Sequence, residues 1–549
     1  MSVLRLVSDL KYKQTNLETH IPLTKIKDGA NQFDDCFVFK EGGNIRVYDR
    51  ICNHAGETLS LLPGSKDCAR CPRHGWEFSL KKGCYKNNLK KAAMAHTIKS
   101  GKIVFEKKLS IPYFSENLNE RKFSFELINH ACLHFYGDSF SFVIDPWIVG
   151  STLSTGWWPS VPRRSDWQEV VNNCDFIYIS HNHADHLHKY TLSKVRSDMK
   201  FYVPPFASDS VRKTLLKFGF HNVEHLEFEK VYALEKDGDF EISCLKSGDN
   251  REDSGFYFRY GTFDFLTTID ANLVNNDRLP DRATIFACNI HIGSGEYPLC
   301  FDCISEENKN TIMKKNLMDG INQVDAYLST LQPQFFLPYG GFMEAKAPRD
   351  NMIKEKMIAN IPTSYKSVCD KNKVKLCDAN EATVFEFMGS NLKKQYVLST
   401  PSIDVTDEDV ANEISYIKEN YHEIKNDLVL KYFESSKFYD QLSLYLSWVS
   451  DDFLSIYKTV YVDFSGDRPK AKFIESFNWV KIKKEFDPDI ESNRLLYLKV
   501  RREILNQLIE ESLPWENVAA GYQMRFDRIP DIYNQEFWCY FTNQYVYQP

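Results

Sequence analysis

Hydrophobic and polar positions divide the chain into three stretches with different periods. In the first, FDDCFVFK, GNIRVYDRI and GKIVFEKK alternate with a period of two, which predicts an all-β unit over about residues 1–115. In the second, FSFVIDPWIVG and DFIYI are short buried strands, LTTID is an apolar strand ending at Asp270, and residues 305–332 form a long amphipathic helix stopped by Pro333. That mixture predicts an α/β unit over 116–389. Ser165-Asp166-Trp167-Gln168 has the pattern of a helix capping box. In the third stretch Thr406-Asp407-Glu408-Asp409 opens a helical pattern to about residue 435, IYKTVYVDFSG alternates like a strand, and RLLYLKVRREILNQLIEE has helical spacing. Residues 390–549 are therefore expected to be a smaller α+β or mostly helical unit.

Composition narrows the class without changing that division. The chain has 549 residues, 43% apolar and 26% charged, which suits several globular cores and excludes disorder as the main state. Its 68 basic and 75 acidic residues give a net charge of −7, which argues against general nucleic-acid binding. No apolar run is long enough for a membrane helix, and the first residues lack a secretory apolar core, so the expected location is cytoplasmic. In a reducing compartment, closely spaced cysteines and histidines among the 14 Cys and 14 His are first candidates for metal ligands.

Two such constellations stand out. Cys52-Asn53-His54 is followed after 16 residues by Cys71-Pro72-Arg73-His74. Each half supplies one thiolate and one imidazole, the Rieske arrangement for a 2Fe-2S cluster with two Cys on one iron and two His on the other. A zinc finger pairs Cys with Cys and His with His, so zinc, with Cys68 as a possible extra ligand, is the lesser alternative. The second constellation is His181-Asn182-His183-Ala184-Asp185-His186, directly after the DFIYI strand. It resembles the HxHxDH motif of the metallo-β-lactamase superfamily. His181 and His183 can face one metal, Asp185 and His186 a second, with Asp270 bridging. Asp145 reads as a turn former rather than a catalytic group, and Arg163-Arg164 as a solvated face.

Taken together, the two sites point to redox chemistry. Zinc has no accessible redox change, and a hydrolase has no use for a one-electron carrier. Non-haem iron, one or two ions, is therefore preferred over zinc at the second site, with oxygen activation as the reaction class.

A Rieske unit followed by a metallo-β-lactamase-like αββα unit resembles the CMP-N-acetylneuraminate hydroxylase family. NHACLHF, VIDPWIVG, Gly156-Trp157-Trp158, Ser165-Asp166-Trp167, IYISHNHADHL and the closing WENVAAGYQMRFDRIPDIYNQEFW match that family in order. The resemblance implies a soluble monooxygenase that uses oxygen and electrons from a reductase of cytochrome b5, ferredoxin or flavin type. Its substrate would be a small molecule, possibly a nucleotide sugar or another acylated or amino compound, and it implies neither a nucleic-acid nor a membrane partner. It also implies Cys52, His54, Cys71 and His74 as cluster ligands, and His181, His183, Asp185, His186 and Asp270 as metal ligands.

The chain departs from the family pattern at two places. Asp249 stands where the family has a His ahead of an acidic stretch, and is carried as a candidate ligand. PYGGFMEAKAPRD holds no His where the family has one after its Gly-rich turn, so the second metal lacks an evident last ligand. His291 is a spare imidazole. Arg525 and Arg528, in the closing segment, are candidates for an anionic substrate because guanidinium donors form a planar fork; inter-domain pairing is their plainer role. The alternatives in other classes are a metal-dependent hydrolase with a structural or sensory cluster, and a non-enzymatic redox or binding module.

Overall fold

The computed structural model describes residues 4–546 apart from 34–35, 53–58, 63–64, 71–75, 86–88, 114–118, 250, 281–282, 291–296, 380–381, 487–493 and 532. His54, Cys71, His74 and His291 lie outside the described residues.

Two eight-stranded sheets form the centre. One runs, in spatial order, 4–9, 230–234, 237–246, 254–260, 263–267, 285–289, 335–339 and 375–376. The other runs 223–225, 201–203, 176–178, 141–144, 132–137, 122–129, 383–388 and 391–397. Their inner faces meet on a phenylalanine-rich core, with Phe125, Phe135 and Phe142 of one sheet against Phe256, Phe258 and Phe265 of the other, all fully buried. Phe125 meets Phe265 edge-on at 5.7 Å, a geometry aromatic rings favour. The outer face of the first sheet is covered by the helix Glu306–Leu331 through Val324, Tyr327, Leu328 and Leu331. That of the second is covered by Trp167–Asn172, Lys189–Leu192 and Ser210–Lys217 through Val171, Leu192, Val211 and Leu215. The central unit is thus the expected αββα sandwich.

The amino-terminal unit is all-β, as its alternation predicts. It contains sheets of 97–99/102–113/11–22, 29–32/36–41/44–49 and 60–61/68–70/77–79/84–85. The carboxyl-terminal unit is a five-stranded mixed sheet, 470–474/456–463/442–449/494–501/524–529, with helices beside it. Its core is continuous with Trp147, Trp157, Cys300 and Met313 of the sandwich. Arg501, 1% exposed, joins the two by donating to Asp350 Oδ1 at 2.5 Å and to the Arg349 carbonyl at 2.9 Å.

Several expectations are corrected. The boundary at 115 has an exception at its start, because Leu4–Asp9 pairs antiparallel with 230–234 in the sandwich. The boundary at 389 moves outward, because Asn391–Val397 pairs with 383–388. RLLYLKVR is a strand and only Arg502–Glu511 is helical: the strand is flanked on both sides and buried on both faces, so a continuous apolar run overrides helical spacing. The helix expected over 406–435 is two, Asp407–Asn420 and Asn426–Glu434. No capping box forms at 165–168: Ser165 N–H donates to the Pro401 carbonyl at 2.9 Å and Gln168 Nε2 to the Lys194 carbonyl at 3.0 Å, so the two groups that would close the box bond elsewhere. Arg163 and Arg164 are not a solvated face: Arg163 is buried and Arg164 pairs with buried Glu126.

Candidate metal centre

The centre lies where strands of both sheets end. His130 follows the strand Lys122–Asn129, Asp145 follows Ser141–Ile144, and His181 follows Phe176–Tyr178 by three residues. From the facing sheet, Asp270 follows Phe263–Thr267 and Asn289 ends Ile285–Asn289. Three groups of side chains bring ligand atoms within 4.8 Å of one another: His130, Asp185 and His186; His181, His183 and Asp253; and His181, His186 and Asp270. Each consists of two imidazoles and one carboxylate, the donor set of non-haem Fe(II) triads.

Outer partners assign the protons. Asp145, at φ +46°, accepts from Ser180 N–H at 2.8 Å and Ser180 Oγ at 2.6 Å. With its own proton given to Asp145, Ser180 Oγ accepts from His181 Nδ1 at 2.9 Å. Asp145 Oδ2 also accepts from His186 Nδ1 at 2.9 Å. Asp145 therefore fixes its turn, as expected, and orients two rings besides. His183 Nε2 donates to Glu516 Oε2 at 3.1 Å. The inward nitrogens, His181 Nε2, His183 Nδ1 and His186 Nε2, are left as the acceptors when each ring is neutral. His181 Nε2 and His183 Nδ1 are 2.8 Å apart. Asp270 Oδ2 lies 3.3 Å from His186 Nε2 and 3.8 Å from His181 Nε2, while Asn289 donates to Oδ1 at 2.8 Å.

These donors fit metal ions. Asp185 Oδ1, His186 Nε2 and Asp253 Oδ2 are buried without a hydrogen-bond partner, and their residues belong to the three groups. Stranded buried polar atoms are costly unless something satisfies them, and cations shared within the groups would satisfy these. Electrostatics agree. Burial, then the adjacent His186 and His183 rings, holds His181 well below the usual histidine range. Against burial, Glu516 keeps His183 up at about 9, so metal entry there displaces a proton. Burial pushes Asp253 up to about 6, with Arg251 offsetting it only in part.

The Gly-rich turn that lacks the family's histidine is where His130 docks. Gly340 N–H donates to the His130 carbonyl and Gly341 N–H to Nδ1, both at 2.9 Å. His130 Nε2 lies 3.2 Å from Asp185 Oδ2. Asp249 stands outside the three groups: Ser247, Asn272 and the Arg251 backbone and guanidinium bond its carboxylate at 2.9–3.1 Å. Asp253 is the carboxylate that reaches His181 and His183. Sequence reasoning missed both His130 and Asp253. The available signals are a His just after a strand in NHACLHF and a second aspartate in GDNREDSG.

At the amino end, Cys52 is buried, 1% exposed, in a core with Phe37, Phe78 and Tyr85. The strands Cys68–Arg70 and Glu77–Ser79 pair antiparallel on either side of residues 71–76. The Rieske [2Fe-2S] domain family matches residues 19–99, a span that contains all four expected cluster ligands. This chain carries a Rieske [2Fe-2S] domain. Beyond the Rieske domain, the chain is similar to cytidine monophosphate-N-acetylneuraminic acid hydroxylase of Macaca mulatta, 24% identical over 565 residues, covering 95% of this chain and 92% of that one. The protein of the same name from Xenopus laevis is 22% identical, covering 96% and 91%. The likeness read from the sequence thus runs along nearly the whole chain, and these relatives support an oxygen-dependent oxidoreductase. Among solved structures, CmlA, a diiron β-hydroxylase from Streptomyces venezuelae, matches at TM-score 0.33 and 15% identity over 50% of this chain and 55% of that one. The metallo-β-lactamase fold protein YhfI of Bacillus subtilis matches at 0.30 and 12% over 49% and 100%.

The expected substrate arginines are differently employed. Arg525 is buried, its NH1 donates to the Tyr522 and Met524 carbonyls at 3.1 and 2.9 Å, and its guanidinium lies 4.0 Å from the centre of the Phe453 ring. Arg528 donates to Asp531 at 2.7 Å. These polar bonds stay within the carboxyl-terminal unit, so they form neither the substrate fork nor the inter-domain pairing that the sequence suggests. Among the described residues no helix is long and apolar enough to cross a membrane.

Proposed function

We propose that the protein is a cytoplasmic Rieske monooxygenase that hydroxylates a small acylated or amino substrate of the nucleotide-sugar class, with electrons from a separate reductase. Cys52, His54, Cys71 and His74 hold the 2Fe-2S cluster. His181, His183 and Asp253 hold one non-haem iron, Asp185, His186 and His130 a second, and Asp270 lies between them. The observation that carries this reading is the set of buried ligand atoms gathered as two-His-one-carboxylate groups, some of them without a hydrogen-bond partner, in a chain that has a Rieske domain. The names of the similar proteins supply the substrate class.

Iron in these pockets supplies oxygen activation when reduced. The chain's own residues do the rest. Asp145, Ser180 and Glu516 keep the ring protons on the outer nitrogens, and Asn289 turns Asp270 so that Oδ2 faces His181 and His186. Arg251 lies 3.4 Å from Asp253 and bonds Asp249, which keeps charge balanced beside the centre.

The test is iron analysis and electron paramagnetic resonance of the reduced protein, then oxygen uptake with CMP-N-acetylneuraminic acid and related acylated nucleotide sugars. We expect a Rieske signal, additional iron that His181→Ala removes while the Rieske signal stays, and substrate-dependent oxygen uptake. Full activity with zinc alone, or hydrolysis without oxygen uptake, would overturn the reading.

A further inference from the structure

The metal-binding turn is gripped from the carboxyl-terminal unit at three successive residues. Asn182 Nδ2 donates to the Thr542 carbonyl at 3.4 Å, His183 Nε2 donates to Glu516 Oε2 at 3.1 Å, and Ala184 N–H donates to Asn517 Oδ1 at 3.3 Å. Glu516 is itself held in place. Its N–H donates to Thr542 Oγ1 at 3.2 Å, and Tyr533 OH donates to its Oε1 at 3.2 Å. The preceding Trp515 is fully buried and donates to Tyr432 OH at 2.8 Å, so the short helix Trp515–Ala520 has a fixed seat.

The outer partners of the other rings come from the sandwich: Ser180 for His181, and Asp145 for His186. Only for His183, among these three, does the partner come from another unit, 333 residues along the chain. A carboxylate on the far nitrogen of a ligating imidazole fixes its tautomer and makes the near nitrogen a better donor. We propose that Glu516 is a positioning residue for the metal centre, accepting the outer N–H of His183, so that the carboxyl-terminal unit completes the metal pocket of His181, His183 and Asp253. The proposal rests on reading that group as a metal pocket. By linkage, a metal ion in this pocket stabilises docking of the carboxyl-terminal unit, and docking tightens the metal.

The test uses the full-length chain, stripped with a chelator and titrated with Co(II), read by its visible absorption and by stoichiometry. In Glu516→Gln the carboxylate charge is lost at constant shape. One of two Co(II) ions is expected to bind roughly tenfold to a hundredfold more weakly, with an altered spectrum, while the other is unaffected. Glu516→Asp should recover part of the loss, and Tyr533→Phe should shift the same spectral band by less. Apo unfolding of each variant reports whether the fold is intact. If Glu516→Gln does not fold, Glu516→Asp and Tyr533→Phe carry the test, and wild-type affinity and spectrum in both would overturn the proposal. Wild-type binding of both ions by a folded Glu516→Gln also overturns it alone. A wild-type chain that takes up no Co(II) overturns the metal reading and this proposal together.

Discussion

His130 docks on the Gly-rich turn that lacks the family's histidine and reaches Asp185 from there. The sequence shows the gap, but an imidazole that follows a strand far earlier in the chain leaves no local spacing to read. Asp253 is similar: GDNREDSG offers Asp249 and Asp253, and only the fold shows that Arg251 ties the first into the loop while the second faces His181 and His183. By contrast His181, His183, Asp185 and His186 lie together as the sequence suggests, because a tight turn after a buried strand gathers its own side chains, and Asp270 meets them from the facing sheet. His130→Ala and Asp253→Ala should each leave one ion of the two bound, whereas Asp249→Asn should keep both; metal analysis of the dialysed proteins checks this. A metal at His130 Nε2 moves the ring proton to Nδ1, where it meets the Gly341 N–H. Metal loading should therefore turn that amide away, and its hydrogen exchange should change.

At the scale of elements, the strands were read well wherever polar alternation or a short apolar run marked them, and less well where tertiary burial overrode local spacing. The run 494–501 departs from its helical pattern for that reason: a strand between two neighbours and covered on both faces has no polar side to reveal its period. Contact between distant elements was not legible at all. Gly156 and Gly521 are backbone against backbone, and a Cβ on Gly156 would lie 2.2 Å from the Gly521 carbonyl oxygen. Beside them Trp157 donates to the Ala520 carbonyl at 2.8 Å. Gly156→Ala should cost about 1–3 kcal/mol, measured by denaturant unfolding, and should loosen the helix that carries Glu516.

For the whole molecule, the order of units was clear from the sequence, but the way they are threaded was not. Leu4–Asp9 belongs to the sandwich, the chain leaves it for the Rieske domain after Leu10, and it returns at the strand Lys122–Asn129. A truncation beginning at residue 116 removes an edge strand from over Val231 and Tyr232. Such a chain should aggregate or unfold at lower temperature, whereas Cys71→Ser in the full chain should keep the sandwich and its second-site metal but lose substrate-dependent oxygen uptake. Thermal unfolding and oxygen electrode measurements separate the two cases.

That threading makes the cluster-bearing head a loop on the sandwich rather than a bead at the end of a string. A bead can swing through a wide cone about one swivel. A loop is tied at both its outgoing and its returning strand, so the position of the Rieske domain is tied to the sandwich at two points rather than one.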